Sequence, residues 1–158
     1  MNHDETRVPM TSEEKTAWVY GTVVILTSGT YFTWLAIQLS TRPVDEISWA
    51  VPMLITIVAS IVGVILGTIL AAIGGAVWTG IKGRFQEPDF TTDERDLAIK
   101  RLGDRRNFAV VSFGLAGVLA LAMLDVDTLW IGNWLFLVGT VGALAECVTK
   151  IRAYRRGL

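Results

Sequence analysis

The sequence predicts an all-α protein, an integral membrane four-helix bundle with both termini cytoplasmic, and three observations carry that expectation. Four stretches, 16–41, 47–81, 107–124 and 128–145, contain no charged residue. Crossing a hydrocarbon core of about 30 Å takes about 20 helical residues, and a soluble core helix rarely stays uncharged for so long. Once these stretches are taken as spans, thirteen of the 14 basic residues fall on one side and only Arg42 on the other. Chains threaded through a bilayer keep Lys and Arg in short cytoplasmic loops and near span ends, so the partition sets orientation. Finally, small residues recur every fourth position in the second stretch, the pattern that lets membrane helices approach closely.

Residues 1–15 form a cytoplasmic tail with Arg7 and Lys15. Asp4, Glu5, Glu13 and Glu14 surround those bases and no small-residue cleavage site follows, so the next apolar run reads as a retained first span (16–41). The outer connection holds Arg42 with Asp45 and Glu46, and the second span occupies 47–81. Residues 82–106 form a cytoplasmic loop and helix leading into the third span, 107–124. A tight connection with Asp125 and Asp127 precedes the fourth span, placed at 128–148, and a basic tail covers 149–158. With 158 residues and 52% hydrophobic content, the chain makes one membrane domain and has little left for a separate soluble unit. Trp18, Tyr20 and Trp78 fall at the inner boundary; Tyr31, Trp34, Trp49, Trp130 and Trp134 fall toward the outer one. An apolar ring with a polar edge suits the headgroup level, so these are read as anchors.

In the second span Ala59, Gly63, Gly67, Ala71 and Gly75 place a helix-packing strip on one face. Ser112, Ala116 and Ala120 form a shorter strip on the third span, and Gly139 and Ala143 another on the fourth. The strip can seat a span of the same chain or its own copy, so a homo-oligomer stays open. An unbroken helix over 47–81 would measure about 50 Å, longer than the core. Pro52 fits its first turn, and the excess is absorbed by emergence into the cytoplasm, by tilt, or by a bend at Gly74-Gly75.

The cytoplasmic loop has its own organisation. Gly83 and Pro88 mark a connector, after which Thr91 and Glu94 stand at capping-box spacing with Asp93 adding charge at a helix N-terminus. Leu97, Ile99 and Leu102 continue the helical pattern, and nothing resists running into the third span as one helix. Asp93, Glu94, Arg95, Asp96, Lys100 and Arg101 are the candidate partner surface; mixed charge on such a helix also fits a solvated face with local ion pairs. Asp93-Glu94-Arg95-Asp96, followed by Ile99, a basic pair and Gly103, resembles the hallmark of a family of small bacterial and archaeal membrane proteins carrying a domain of unknown function. The segments 12–19 and 150–157, with their Trp18 and Tyr154-Arg155-Arg156-Gly157, are similar to actinobacterial members, as are Trp130-Ile131-Gly132-Asn133 and the region 144–146. Gly132 stands where family members more often carry alanine. The resemblance implies a four-helix membrane protein, often regarded as the companion of a small helix-turn-helix regulator, and brings no activity, ligand or catalytic residue.

Polar residues inside spans are the remaining places for chemistry, since burying them in lipid is expensive without partners. Glu146, with Lys150 four residues on, predicts a local ion pair. Asn133 predicts an interhelical hydrogen bond. Thr27, Ser28, Thr30 and Thr33 can satisfy themselves on their own helix carbonyls. The sole histidine, His3, and the sole cysteine, Cys147, leave no multi-histidine or multi-cysteine metal centre and no dithiol redox site. Residues 93–96 hold carboxylates, but Arg95 stands among them and they do not converge on one helix face. The glycines of the second span are not followed by Lys-Ser/Thr, so no phosphate loop is present, and a net charge of −1 gives no basis for nucleic-acid binding. The chain therefore reads as a non-enzyme without cofactor or metal, located in the cell membrane, whose partners are the bilayer and a cytoplasmic or membrane protein. The function expected is interaction or regulation through the cytoplasmic loop. A small homodimeric transporter or channel is the alternative, although the first span lacks the acid that small four-helix exporters use there. A lipid-facing envelope protein without a discrete ligand is a third class.

Overall fold

The computed structural model describes residues 12–81 and 94–156. Within them lie four helices, α1 (Ser12–Thr41), α2 (Ala50–Ile81), α3 (Glu94–Met123) and α4 (Thr128–Arg156), with a 3-10 turn at Val44–Glu46. Each helix is long and apolar enough to cross a membrane. Extensive packing joins α1 to α2, α1 to α4 and α3 to α4. The order across the molecule is therefore α2, α1, α4, α3, with α1 and α4 in the middle.

The α1/α4 seam follows a heptad. Ala17, Gly21, Val24, Ser28, Tyr31 and Leu35 are all buried on α1, at alternating spacings of four and three that keep one face turned to an antiparallel partner. On α4 the matching face carries Leu129, Asn133, Ala143 and Cys147, again buried. A Cβ added at Gly21 would meet Cys147 at 3.5 Å, ordinary contact, so the backbones are already close there. At the hairpin end of the seam, Tyr31, Leu35, Ile47 and Leu129 form a buried apolar cluster, and the Tyr31 and Phe136 rings meet edge-on with centroids 5.2 Å apart.

Both connections within the described residues have a local cause. Pro52 is the third residue of α2, within the first turn, where its missing N–H costs no helical bond. At the end of α3, Asp125 adopts a left-handed conformation with φ 53°. Its N–H donates to the Ala122 carbonyl and that of Val126 to the Leu121 carbonyl, both at 3.2 Å, the crossed pair of bonds that closes a helix around such a residue. Two residues on, the Asp127 carboxylate accepts the Leu129 N–H at 2.7 Å and caps α4. The two acids of this turn thus stop one helix and start the next.

Three helices reach past the apolar stretches at the end where α1 begins and α4 stops. α3 runs unbroken from Glu94 to Met123, as the charged segment and the third span were expected to join, and α4 continues to Arg156. Glu14, Ala17, Ile99, Gly103 and Ala153 are buried there. The Thr91 end of the expected capping box lies outside the described residues.

The packing strips differ from expectation. On α2, Gly63 and Gly67 face α1: a Cβ would meet Val23 at 3.0 Å and Val19 at 2.6 Å respectively. Ala59 is exposed, because a repeat of four drifts around a helix of about 3.6 residues per turn; Ala71 is half-buried, as Gly63 and Gly67 are, and Gly75 lies within α2. On α3, Ser112, Ala116 and Ala120 are all exposed. The close approach to α4 is made instead at Gly103, Gly114 and Gly117, where a Cβ would run into Lys150, Val138 and Trp134. Ala143 is buried, whereas Gly139 has open space around it.

Candidate functional site

Among the described residues, a set of interacting polar side chains lies between α3 and α4 at the end where α1 begins and α4 stops. Glu146 accepts from Asn107 Nδ2 at 2.9 Å with one carboxylate oxygen and from Lys150 Nζ at 2.5 Å with the other. Lys150 also faces Asp104 at 3.7 Å. The expected Glu146–Lys150 pair is therefore present, but it spans two helices through Asn107 and Asp104. Gly103 allows it: a Cβ at that position would lie 2.6 Å from Lys150 Cε and 3.1 Å from Glu146 Cγ. With one bond at each oxygen, the Glu146 carboxylate joins the two helices.

Further along, the extension of α4 is tied to both neighbours. Tyr154 donates to the Asp96 carboxylate at 3.0 Å. Burial, and then this hydrogen bond, push the phenol well above its ordinary range, so it stays the donor. On the other side, Arg155 Nε approaches Glu14 at 3.6 Å, and its guanidinium carbon lies 5.5 Å from the Trp18 ring centroid, within cation–π reach.

These contacts sort the candidate partner surface. Asp96 is half-buried, and one of its carboxylate oxygens accepts from Tyr154. Glu94, Arg95, Lys100 and Arg101 are exposed. Asp93 lies outside the described residues. Among the described residues, no three His, Cys, Asp or Glu side chains gather as metal ligands would.

A second polar site sits at the hairpin end. Asn133 is 7% exposed; its Oδ1 accepts from Tyr31 Oη at 2.8 Å, and its Nδ2 donates to the Leu129 carbonyl at 2.8 Å. The bond between α1 and α4 is the one Asn133 was expected to make, though Tyr31 had been read as a headgroup anchor. Two tryptophans also make contacts within the protein. Trp134 donates its indole N–H to the Gly114 carbonyl at 3.0 Å, and Trp49 lies where a Cβ on Gly132 would touch its ring at 2.5 Å. Both rings pack on glycines of the protein itself. Thr27, Ser28, Thr30 and Thr33 each donate to the carbonyl one turn back, and Thr27 also bonds Ser60 of α2 at 2.6 Å. Beside Gly29 on the outward face of α1, Ile25, Leu26, Thr30, Thr33, Trp34 and Ile37 line a shallow, open, mostly apolar groove.

The chain matches no family model, no curated protein and no solved structure.

Proposed function

We propose that the chain is a four-span protein of the cell membrane with both termini cytoplasmic, and that it acts without catalysis, as an interaction or regulatory partner read through the exposed start of α3. Support for the membrane reading comes from α2, whose Leu54, Ile55, Val58, Ile61, Val62 and Ile65 are between 47% and 63% exposed. A helix apolar on every side belongs in a core or a bilayer, and a patch of this extent in water would drive association. The motif resemblance of residues 93–103 supports the same class.

The observation that carries the functional reading is the continuity of α3. Glu94, Arg95, Lys100 and Arg101 stand exposed on a helix that enters the apolar stretch without a break. Such residues are held rigidly, so a partner meets an ordered charge pattern at little ordering cost. The transporter alternative has less support, because the α1 hydroxyls are occupied by helix carbonyls and by Ser60. A photocrosslinking residue at Lys100, compared with one at Arg42, tests the reading in native membranes. A discrete protein adduct from Lys100 alone, lost in the Arg95→Glu/Arg101→Glu double variant, is expected. Identical adducts with and without those reversals would remove the docking reading.

A further inference from the structure

We infer that Arg105 and Arg106 of α3 form a docking site for the headgroup of an anionic membrane phospholipid, with its acyl chains lying along Phe108 and Phe113. The inference rests on the membrane reading above and adds a lipid class and a place.

The outward face of α3 changes character within a single turn. Arg101, Arg105 and Arg106 are exposed; Phe108, two residues past Arg106, is 73% exposed, and Phe113, about two turns past it, is 85% exposed. Beyond Asp96, the helix holds one acid, Asp104, and that carboxylate faces Lys150 at 3.7 Å. Lys150 is itself held by Glu146. It lies level with this region, since its stem runs over Gly103. Between α3 and α4 the Lys150 ammonium is thus shared by two carboxylates, the nearer one on Glu146, while among the described residues Arg101, Arg105 and Arg106 form no ion pair. Their positive charge is displayed outward, directly below exposed aromatic rings.

That pairing of features fits a phospholipid better than a soluble anion. A guanidinium meets a phosphodiester with two parallel N–H donors, and the rings, Phe108 within one turn of the two arginines and Phe113 about two turns beyond them, lie where acyl chains run. A zwitterionic headgroup brings its own cation to the same place; an anionic one such as phosphatidylglycerol does not.

The test titrates phosphatidylglycerol and phosphatidylcholine separately into the full chain in detergent and reads bound lipid by native mass spectrometry. The wild type should hold phosphatidylglycerol preferentially. Arg105→Gln should weaken it roughly fivefold and the Arg105→Gln/Arg106→Gln pair roughly thirtyfold, by the attraction of each basic residue to an anionic surface. Arg42→Gln, at the opposite end, should change nothing. Phe108→Ala/Phe113→Ala should weaken phosphatidylglycerol binding at unchanged helicity, and soluble glycerol phosphate should not displace the lipid. Equal binding of the two lipids by the wild type, unchanged binding by the double glutamine variant, or displacement by glycerol phosphate would each overturn the proposal. Recovery of the wild type as a soluble protein without detergent would instead overturn the membrane reading beneath it.

Discussion

Gly67→Ala and Gly74→Ala make the same chemical change on the same helix, and the structure separates their outcomes. A Cβ at Gly67 would stand 2.6 Å from Val19 Cγ1, whereas at Gly74 it would meet nothing within 4 Å. Carbon atoms pack at about 3.5–4.0 Å, so α1 and α2 must separate by about 1 Å at Gly67 or Val19 must rotate. Rotation is costly, because a β-branched side chain in a helix has one strongly preferred rotamer. Overpacking of this kind costs about 1–3 kcal/mol. The helix-propensity gain of Gly→Ala, about 1 kcal/mol, is common to both variants and cancels in their difference. At about 2–4 °C per kcal/mol for a chain of this size, Gly67→Ala should melt about 2–12 °C below Gly74→Ala.

The assay is thermal unfolding in one detergent followed by far-UV circular dichroism. Adding Val19→Ala to Gly67→Ala should recover most of the loss, since it removes the obstructing methyl. Equal melting of the two glycine variants would mean that Gly67 does not face α1. A loss that Val19→Ala fails to recover would mean that the obstruction lies elsewhere.

Tyr31→Phe removes the donor to Asn133 and leaves a buried amide oxygen short of a partner, so a loss of about 1–2 kcal/mol is expected; a melting temperature at or above wild type would refute the bond. Lys150→Met leaves the Glu146 carboxylate, 16% exposed, without its cation and should destabilise by about 1–3 kcal/mol. Glu146→Gln in the same chain should then cost less than it does alone, and strictly additive losses would show that the pair is not coupled. For topology, cysteines placed at Asp45 and Asp127 should react with an impermeant maleimide in intact cells while one at Arg152 should not, the native Cys147 being buried; labelling at Arg152 would reverse or abolish the orientation.

The sequence shows the four helices, the junction of the charged segment with the third span, and the local pair Glu146–Lys150, because each depends on composition or on residues one turn apart. It does not show which face of an uncharged helix is inside. Where every side is apolar, the usual contrast between polar and apolar residues vanishes, and small residues are the only pointer. On α3 both the exposed set Ser112, Ala116, Ala120 and the packed set Gly103, Gly114, Gly117 fit that pointer. The packed set on α3 is all glycine, whereas the exposed set is serine and alanine; on α4 the order is reversed, with Ala143 buried and Gly139 open. The α1 heptad was legible as spacing, since Ala17, Gly21, Val24, Ser28, Tyr31 and Leu35 alternate four and three, yet its mixture of small and large residues hides it from a search for small ones. Asn107–Glu146 and Tyr154–Asp96, 39 and 58 residues apart, follow from tertiary placement that no local spacing encodes.

The polar contacts are distributed in a way that ranks the helices by how firmly they are held. α4 bonds to α1 through Asn133 at one end and Arg155 at the other, and to α3 through Trp134, Glu146 and Tyr154 along its length. Each such pair has its own geometry, and together they resist any slide of one helix along the next, because a one-residue shift would leave several polar groups unpaired at once. α2 meets α1 through Gly63 and Gly67, the Ser60–Thr27 bond near mid-helix and Met53 against the Tyr31 and Leu35 cluster, so its register rests largely on the fit of small residues against Val19 and Val23. Dispersion at such a seam falls off steeply with distance. A substitution at Gly67 therefore reports on the attachment of α2 alone, while one at Tyr31 or Lys150 reports on the unit formed by α1, α3 and α4.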